Sequence, residues 1–424
     1  MPELNEVFGI GTDIPKFTYV DRSGLDTKFG YLLKTQRHIV LHGASKQGKS
    51  CLRKKKVDES ACIVVQCLPG MTSKDLWQKA LSNMDVKITH EINFRRQLHL
   101  GIEGGATGTV GIPILVKAET SAKGELSGEV EQSTSKKPVG GHEEDIRYLA
   151  QQLHAQNKRL ILEDFHYLSE ETRKEVAFHL KALYELNVFV IIIGIWAEQN
   201  LLTYYNGDLT GRIEEVNISW LDSELLEVLN KGELALNILF SDAMKQEMIA
   251  ASFENVGLLQ RIAERTCFVS NVLKTQPTTT PIDSIDALKK AINDIVQDIQ
   301  QRYNRIFEVF DRGFRAKTEL KVYYNIFKVI SHLSDQELIN GVPTATILTE
   351  IKKTSPNIRQ SDLTQSLERI ERLQSTRNIT PLLASYNQSL RSVSLTDREF
   401  LFFRKYGKMW DFDTDTVDES TTGS

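Results

Sequence analysis

The chain has 424 residues, of which 41% are hydrophobic and 25% are charged, and its formal net charge is −4. This is the composition of a globular protein, and the length predicts two or three domains. The small negative charge excludes a uniformly basic nucleic-acid-binding chain, although it still allows a local basic face.

The sequence gives no sign of secretion or of membrane insertion. The four cysteines have neither metal-ligand nor disulfide-framework spacing, so we expect reduced thiols and a cytoplasmic location. The N-terminus lacks the basic and apolar regions of a signal peptide. No apolar run approaches the roughly 18 residues of a membrane span, so no membrane partner is expected.

The segment 38–50, HIVLHGASKQGKS, is the strongest motif in the chain. Its first five residues predict a buried strand, and the rest fits G-x-x-x-x-G-K-[ST], the P-loop pattern. In this pattern backbone N–H groups surround phosphates, the lysine reaches the β- and γ-phosphates, and the hydroxyl binds Mg²⁺. The residues expected to bind nucleotide here are Gly43, Ala44, Ser45, Lys46, Gln47, Gly48, Lys49, Ser50 and Cys51.

The surrounding sequence predicts an α/β fold with a parallel sheet. Residues 61–67 form a second apolar strand and residues 73–84 a helix, and strands alternating with helices indicate parallel pairing. The upstream segment 17–22, FTYVDR, either contacts a nucleotide base or is a plain lead-in to the P-loop strand.

Residues 86–141 interrupt this alternation with a stretch rich in Gly, Thr, Ala and Val. Its period-2 stretches predict one or two β-hairpins inserted into the α/β core. A hairpin of this kind lines a pore, contacts DNA or contacts a protein partner. The alternative is a flexible insertion without such a role, and the sequence leaves these alternatives open.

A further apolar strand ends in two acids, Glu163 and Asp164. A Mg²⁺–nucleotide site needs one acid for the metal and another to orient or deprotonate the attacking water. By position Glu163, together with Ser50, holds the metal and Asp164 activates water, although the two acids can exchange or share these roles. His166 is either a phosphate sensor or a structural histidine at a strand end.

The rest of the core and the segment after it are predicted in order. Residues 188–195 and 213–218 are strands, and residues 221–236 and 241–267 are helical, with Gly257 between two helices. Residues 268–281 contain Pro and Thr and predict a linker. These elements predict a core over 1–218 and a helical lid over 219–280.

Residues 281–410 are predicted to form a long helix followed by a winged helix-turn-helix, and 411–424 an acidic tail. Asp362–Leu373 would be the recognition helix and residues 387–389 the wing. This unit binds double-stranded DNA or docks a protein. The basic residues near the recognition helix are Lys352, Lys353, Arg359, Arg369, Arg372 and Arg377.

Taken in order, the P-loop, the acidic strand end, the strand VFVIIIGI, the segment GDLTGRIEEVNI, the helical lid and the winged helix resemble an AAA+-type ATPase. Within this family, the sequence is most similar to the origin-recognition-like and STAND branches. The resemblance implies that Arg22 lies near the adenine, that Arg212 acts as a finger in a neighbouring subunit, and that Arg261 is a sensor in the lid. One departure is that the fourth strand ends in Gly194-Ile195-Trp196 rather than in a polar sensor.

The resemblance implies a Mg²⁺-dependent ATPase that forms a homo-oligomer and remodels or switches DNA or a protein partner. Bacterial relatives of this shape suggest a mobile element or an antiphage defence system as the setting. The alternative is a slowly hydrolysing, nucleotide-gated scaffold that recruits an effector protein through the winged helix and the insert. A small-molecule kinase is disfavoured because no acceptor-binding signature stands out.

Overall fold

The computed structural model describes residues 1–11, 13–85, 142–196, 199–311, 321–388 and 390–408. The predicted insert at 86–141, the acidic tail at 411–424 and residue 389 of the predicted wing lie outside these residues.

The N-terminal half is built on a five-stranded sheet in which every strand pair is parallel, as the sequence predicts. The spatial order is β2-β3-β4-β1-β5, so β4 separates the P-loop strand β1 from the acid-bearing strand β3. The strands are β1 (His38–His42), β2 (Cys62–Gln66), β3 (Arg159–Glu163), β4 (Ile191–Ile193) and β5 (Ile213–Asn217).

The central strands are apolar on both faces because helices cover both sides of the sheet. In β1, Ile39 and Leu41 enter one hydrophobic cluster while Val40 enters the cluster on the opposite face. This alternation follows from the two-residue repeat of a strand. The helices of this half are α1 (Leu4–Val7), α2 (Leu25–Leu32), α3 (Lys49–Lys56), α4 (Ser73–Ser82), α5 (His142–Ala155), α6 (Glu170–Glu185) and α7 (Leu201–Tyr205).

The predicted lid consists of α8 (Asp222–Leu236), α9 (Asp242–Ser252) and α10 (Val256–Val269). The prediction that Gly257 separates two helices is wrong, because Gly257 lies inside α10. The break falls at Phe253 and Glu254, whose φ angles of 49° and 56° are left-handed. Asn255 then starts α10 by accepting a hydrogen bond from the Leu258 N–H, and such a cap begins a helix.

The predicted linker at residues 268–281 is only partly free chain. Strand β7 (Thr280–Ile282) begins in it and pairs in parallel with β6 (Ile238–Phe240). The lid and the part that follows it share one hydrophobic core, which contains Leu259 of α10 and Ile295 of the long helix α11 (Ile285–Asp311).

The C-terminal part contains a three-stranded antiparallel sheet of order β8-β10-β9 and the helices packed on it. The helix at Asp335–Asn340 and the strand at Val342–Pro343 are not predicted from the sequence, and the predicted recognition helix is two helices, interrupted near Arg369. The elements are α12 (Val322–His332), α13 (Asp335–Asn340), β8 (Val342–Pro343), α14 (Thr344–Thr354), α15 (Gln360–Glu368), α16 (Ile370–Thr376), β9 (Ala384–Asn387), β10 (Ser392–Leu395) and α17 (Glu399–Tyr406).

An aromatic cluster fixes α17 against α11. The Tyr303 ring stacks on Phe403 with centroids 4.7 Å apart, and Phe307 lies 5.9 Å from the same Phe403 ring. The Tyr303 hydroxyl donates to Asp397 at 2.8 Å. Packing and this buried hydrogen bond together place the turn that leads into α17, residues 396–399, against the P-loop segment.

In the part of the chain that the structure describes, no helix is both long enough and apolar enough to cross a bilayer.

We predict that Gly232→Ala lowers the free energy of unfolding by about 1–3 kcal/mol, since overpacking a filled core costs that much. A Cβ on Gly232 in α8 would come 2.0 Å from Cζ of Phe8, and that ring is fully buried. Denaturant unfolding of the wild type and the variant measures the change.

Gly30→Ala is the matched control, because a Cβ there meets no atom within 4 Å. Removing a glycine from the interior of α2 should stabilise the protein by about 0.5–1 kcal/mol. Equal effects at Gly30 and Gly232 would show that the Phe8 ring does not fill the space above α8.

Candidate nucleotide site

The P-loop runs from the carboxyl end of β1 into α3, and its first glycine packs closely against the backbone just after β5. Gly43 has φ 138°, and a Cβ there would come 2.4 Å from the Ile218 carbonyl oxygen, so no other residue fits without a shift. Gly48 has φ 80° and precedes α3. The first N–H groups of α3 have no partner within the helix, which makes this helix start a site for anions.

Lys49 is buried, and its side chain folds over the loop. Its ammonium group donates to the carbonyl of Ala44 at 2.6 Å and to that of Gly43 at 3.1 Å. Burial lowers the pKa of Lys49 to about 7, an effect that the charge of Asp164 opposes and that of Arg22 adds to. The loop therefore holds a cation whose partners are backbone dipoles rather than a carboxylate.

Arg22 supports the loop from outside. It donates to the Gln47 carbonyl at 2.7 Å and lies 4.5 Å from the centroid of the Trp220 ring. The Trp220 indole N–H donates to the same carbonyl at 3.2 Å. Among the contacts the structure describes, Arg22 touches the loop itself, so its predicted place near the adenine stays a prediction.

The remaining loop residues differ in exposure. Ser50 is exposed on the first turn of α3, where its hydroxyl is open to a ligand. Cys51 is half-buried, with its sulfur 3.9 Å from the Asp13 carbonyl oxygen. The side chain of Gln47 points away from the loop and donates to the Glu254 carbonyl at 2.9 Å.

The two acids at the end of β3 have different environments. Glu163 accepts two hydrogen bonds from Arg53 of α3, both at 3.1 Å. Asp164 lies just past the strand with φ 54° and accepts a hydrogen bond from Gln66. Burial and the neighbouring Glu163 charge raise the pKa of Asp164 above its ordinary value.

The end of β4 has no polar side chain of its own, but His166 contacts it. The His166 ring is buried, and its Nδ1 accepts the Ile195 N–H at 3.3 Å. Burial, then the charges of Lys49 and Arg173, lower the pKa of His166 to about 3. The ring is therefore neutral, and its proton lies on Nε2.

The other two arginines implied by the resemblance, Arg212 and Arg261, lie at different distances from the loop. Arg212 precedes β5 and pairs with Glu185 at 3.0 Å. Because β1 and β5 are parallel and His38 pairs with Ile213, Arg212 lies beside the start of β1. That position is six residues before Gly43, about 20 Å away at roughly 3.3 Å per residue. It does not reach the loop of its own chain.

Arg261 lies close to the loop but is paired with acids. It contacts Asp298 at 2.8 Å and Glu399 at 3.3 Å, and Glu399 also contacts Lys46 at 3.3 Å. Through Glu399 the lid arginine and the P-loop share one carboxylate.

The turn before α17 also contacts the loop backbone. The Ser45 N–H donates to the Thr396 carbonyl at 3.2 Å, so one loop amide is occupied by a residue more than 300 positions away in the sequence. No local pattern identifies Thr396 or Glu399 as part of this site. Arg53 and Gln66 are different, because one lies a helical turn after Lys49 and the other ends a strand beside β3.

The donor set suits Mg²⁺ with a nucleotide. Magnesium in such sites takes one or two carboxylates, a hydroxyl, water and the phosphates, and Ser50, Glu163 and Asp164 offer the oxygen ligands. In the described part of the chain, no group of three or more His, Cys, Asp or Glu side chains forms a metal site by itself. The P-loop, the parallel sheet and the acids at the end of β3 make this half a P-loop NTPase core.

Comparison with known proteins gives similarity only at the level of solved structures. No protein-family profile matches the chain, and no curated protein matches it. Cdc6p from Pyrobaculum aerophilum is 11% identical over 94% of this chain and 96% of its own, with a TM-score of 0.41.

Two further solved structures are similar at the same level. RuvB from Thermotoga maritima is 12% identical over 94% of this chain and 99% of its own, with a TM-score of 0.32. A STAND protein with a tetratricopeptide repeat sensor from Pyrococcus horikoshii is 10% identical over 92% of this chain and 42% of its own, with a TM-score of 0.36. At these values the similarities do not assign a family or an activity to the chain.

We predict that nucleotide binding takes up close to one proton near pH 8. With a pKa of about 7, Lys49 is mostly neutral at that pH, and bound phosphates favour its charged form. Affinity should therefore fall with rising pH, by up to about tenfold per unit above the free-state pKa. Calorimetry in two buffers of different ionisation enthalpy measures the uptake.

The control is Lys49→Arg, because a guanidinium stays protonated throughout this range. An enthalpy that does not depend on the buffer in the wild type would contradict the lowered pKa of Lys49.

Proposed function

We propose that this chain is a Mg²⁺-dependent ATPase of the AAA+ type that couples ATP to self-association and to remodelling or switching of a partner. The observation that carries the proposal is the buried Lys49 ammonium, held by two loop carbonyls at the start of a helix. A phosphate chain offers this cation stronger partners than the loop does.

The residues have separable roles in this proposal. Lys49 and the amides of the loop bind the β- and γ-phosphates, and Ser50 with an acid at the end of β3 would hold Mg²⁺. When bound, the metal neutralises charge that develops on the phosphates. The other acid orients or deprotonates the attacking water, and Arg261 contacts the phosphates once it leaves Glu399.

The homo-oligomer is proposed from the place of Arg212. Since this arginine lies at the amino ends of the strands, opposite to the P-loop of its own chain, a catalytic role requires a neighbouring subunit. Its ion pair with Glu185 and its position 5.0 Å from the Tyr184 ring centroid hold it at that edge.

A slowly hydrolysing, nucleotide-gated scaffold is the second candidate. The observation that favours it is the contact of the turn at 396–399 with the P-loop, which occupies the Ser45 N–H and engages Lys46 and Arg261 through Glu399. Turnover in this state requires the C-terminal part to move. An effector protein would then bind the released surface.

The partner is proposed to bind through the C-terminal part, which we infer to be a winged helix. Arg369 and Arg372 line a cleft of about 780 Å³ between this part and the nucleotide-binding half. Arg173 of α6 bridges that cleft by pairing with Glu371 at 2.6 Å. Contact of this face with DNA requires the cleft to open, and antiphage defence remains a prediction from resemblance.

We predict phosphate release from ATP that depends on Lys49, measured with and without double-stranded DNA. Lys49→Ala should reduce release to background, while Lys28→Ala, on an exposed position of α2, should leave it unchanged. Absence of Lys49-dependent release under every condition, with binding retained, would favour the scaffold over the ATPase.

Arg212→Ala should also lower turnover, by about 10³-fold if the arginine stabilises transition-state charge. Mixing it with Lys49→Ala subunits should restore activity, because each variant supplies the group that the other lacks. Failure of the mixture to recover would contradict a role for Arg212 in a neighbouring subunit.

We predict that Arg369→Ala and Arg372→Ala weaken binding of double-stranded DNA. Each substitution should also reduce the salt dependence of binding by about one unit of slope, because one phosphate is no longer neutralised. Among the described residues neither arginine has an ion-pair partner. Lys289→Ala on α11, whose side chain is 73% exposed, is the control. Unchanged dissociation constants would remove DNA as the partner and leave protein docking.

A further inference from the structure

The two acids at the end of β3 are not equivalent, because a buried arginine forms an ion pair with one of them. Arg53 lies on α3 four positions after Lys49, and its side chain is 3% exposed. Its Nε and Nη2 each donate to the same oxygen of Glu163 at 3.1 Å, and its Nη1 donates to Glu59. The guanidinium thus joins β3, α3 and the turn before β2.

This arrangement disfavours Glu163 as a metal ligand. A divalent cation at the bonded oxygen would lie beside a buried positive charge, and like charges repel strongly where water is excluded. Moving Glu163 to the metal would strand Arg53 without this partner in the interior, which is costly for a charged group.

Asp164 has the opposite placement. Its left-handed backbone, with φ 54° and ψ 37°, ends the extended conformation of the strand directly after Glu163. The only hydrogen-bond donor to its carboxylate among the described residues is the neutral amide of Gln66.

We propose that Arg53 is a positioning residue that keeps Glu163 as a structural carboxylate, and that Asp164 is the acid that faces the phosphates and their metal. This reverses the roles that position in the sequence assigns. The inference rests on the proposed nucleotide function.

The first test compares two isosteric variants, Glu163→Gln and Asp164→Asn, in binding a fluorescent ATP analogue with and without Mg²⁺. Glu163→Gln can still accept from Arg53, so Mg²⁺ should tighten its binding to within about threefold of the wild-type effect. Asp164→Asn should lose at least about tenfold of that tightening, as changes at metal sites commonly do. Equal losses, or a larger loss in Glu163→Gln, would overturn the proposal.

The second test concerns Arg53. Arg53→Met removes the charge, frees Glu163 to approach the metal, and should lower the Mg²⁺ concentration for half-maximal tightening by about three- to tenfold. Adding Glu163→Gln should return the midpoint to the wild-type value. A purely structural Arg53 would change the melting temperature and leave this midpoint unmoved, which would contradict the positioning role.

These outcomes are separable from failure of the proposed function. If the wild type binds no ATP analogue through Lys49, the nucleotide proposal itself fails. If the wild type binds and the two acids rank in the reverse order, only the assignment of Arg53, Glu163 and Asp164 fails. If the Arg53→Met variant does not fold, the comparison of Glu163→Gln with Asp164→Asn still tests which acid acts with the metal.

Discussion

The constraint on which the site depends is a buried lysine whose hydrogen-bond partners are backbone carbonyls. Lys49 is 8% exposed and donates to the carbonyls of Gly43 and Ala44. A charged group with such weak partners is costly to bury, and the cost appears as its lowered pKa. The loop geometry that permits this burial needs Gly43, where a Cβ would meet the Ile218 carbonyl. The site is therefore prepared for an anion before one is bound.

A second set of charges connects that loop to the far end of the chain. Arg302 of α11 donates to both Asp397 and Glu399, and Glu399 also contacts Lys46 and Arg261. Two buried acids thus join the long helix, the lid and the P-loop through charged hydrogen bonds, which are stronger than neutral ones. An anion in the loop would compete with Glu399 for the same cations. Exchange of those contacts would couple nucleotide binding to the position of the C-terminal part.

Sequence patterns predict features formed by contiguous residues, and they do not predict contacts between residues that are distant in the chain. The strand–loop–helix around Lys49 is predictable because its glycines, its lysine and the apolar strand before it are contiguous. The parallel sheet follows from alternating strands and helices, and the helices predicted at 73–84 and 221–236 agree within two residues with α4 and α8. The helix break at Phe253 was misplaced at Gly257, since a glycine is a common break signal whereas left-handed Phe and Glu residues leave no pattern.

The same reason explains which contacts of the site sequence patterns do not predict. Spacing gives Glu163 and Asp164 the order typical of a metal acid and a base, but spacing does not reveal that Arg53 lies against Glu163. The contact of Thr396 with Ser45 joins residues that only the folded chain brings together, and it depends on the aromatic packing of α17 on α11. Position in a motif therefore predicts the acids, and the ion pair of Glu163 with Arg53 is the basis for the roles proposed for them.

Amide hydrogen exchange of residues 43–50, with and without Mg²⁺ and ATP, reports directly on whether this loop is a nucleotide site. If the loop binds phosphates through its amides, exchange of this segment should slow on addition of nucleotide in the wild type and stay unchanged in Lys49→Ala. Exchange that is insensitive to nucleotide in the wild type would contradict the assignment of this loop as a nucleotide site.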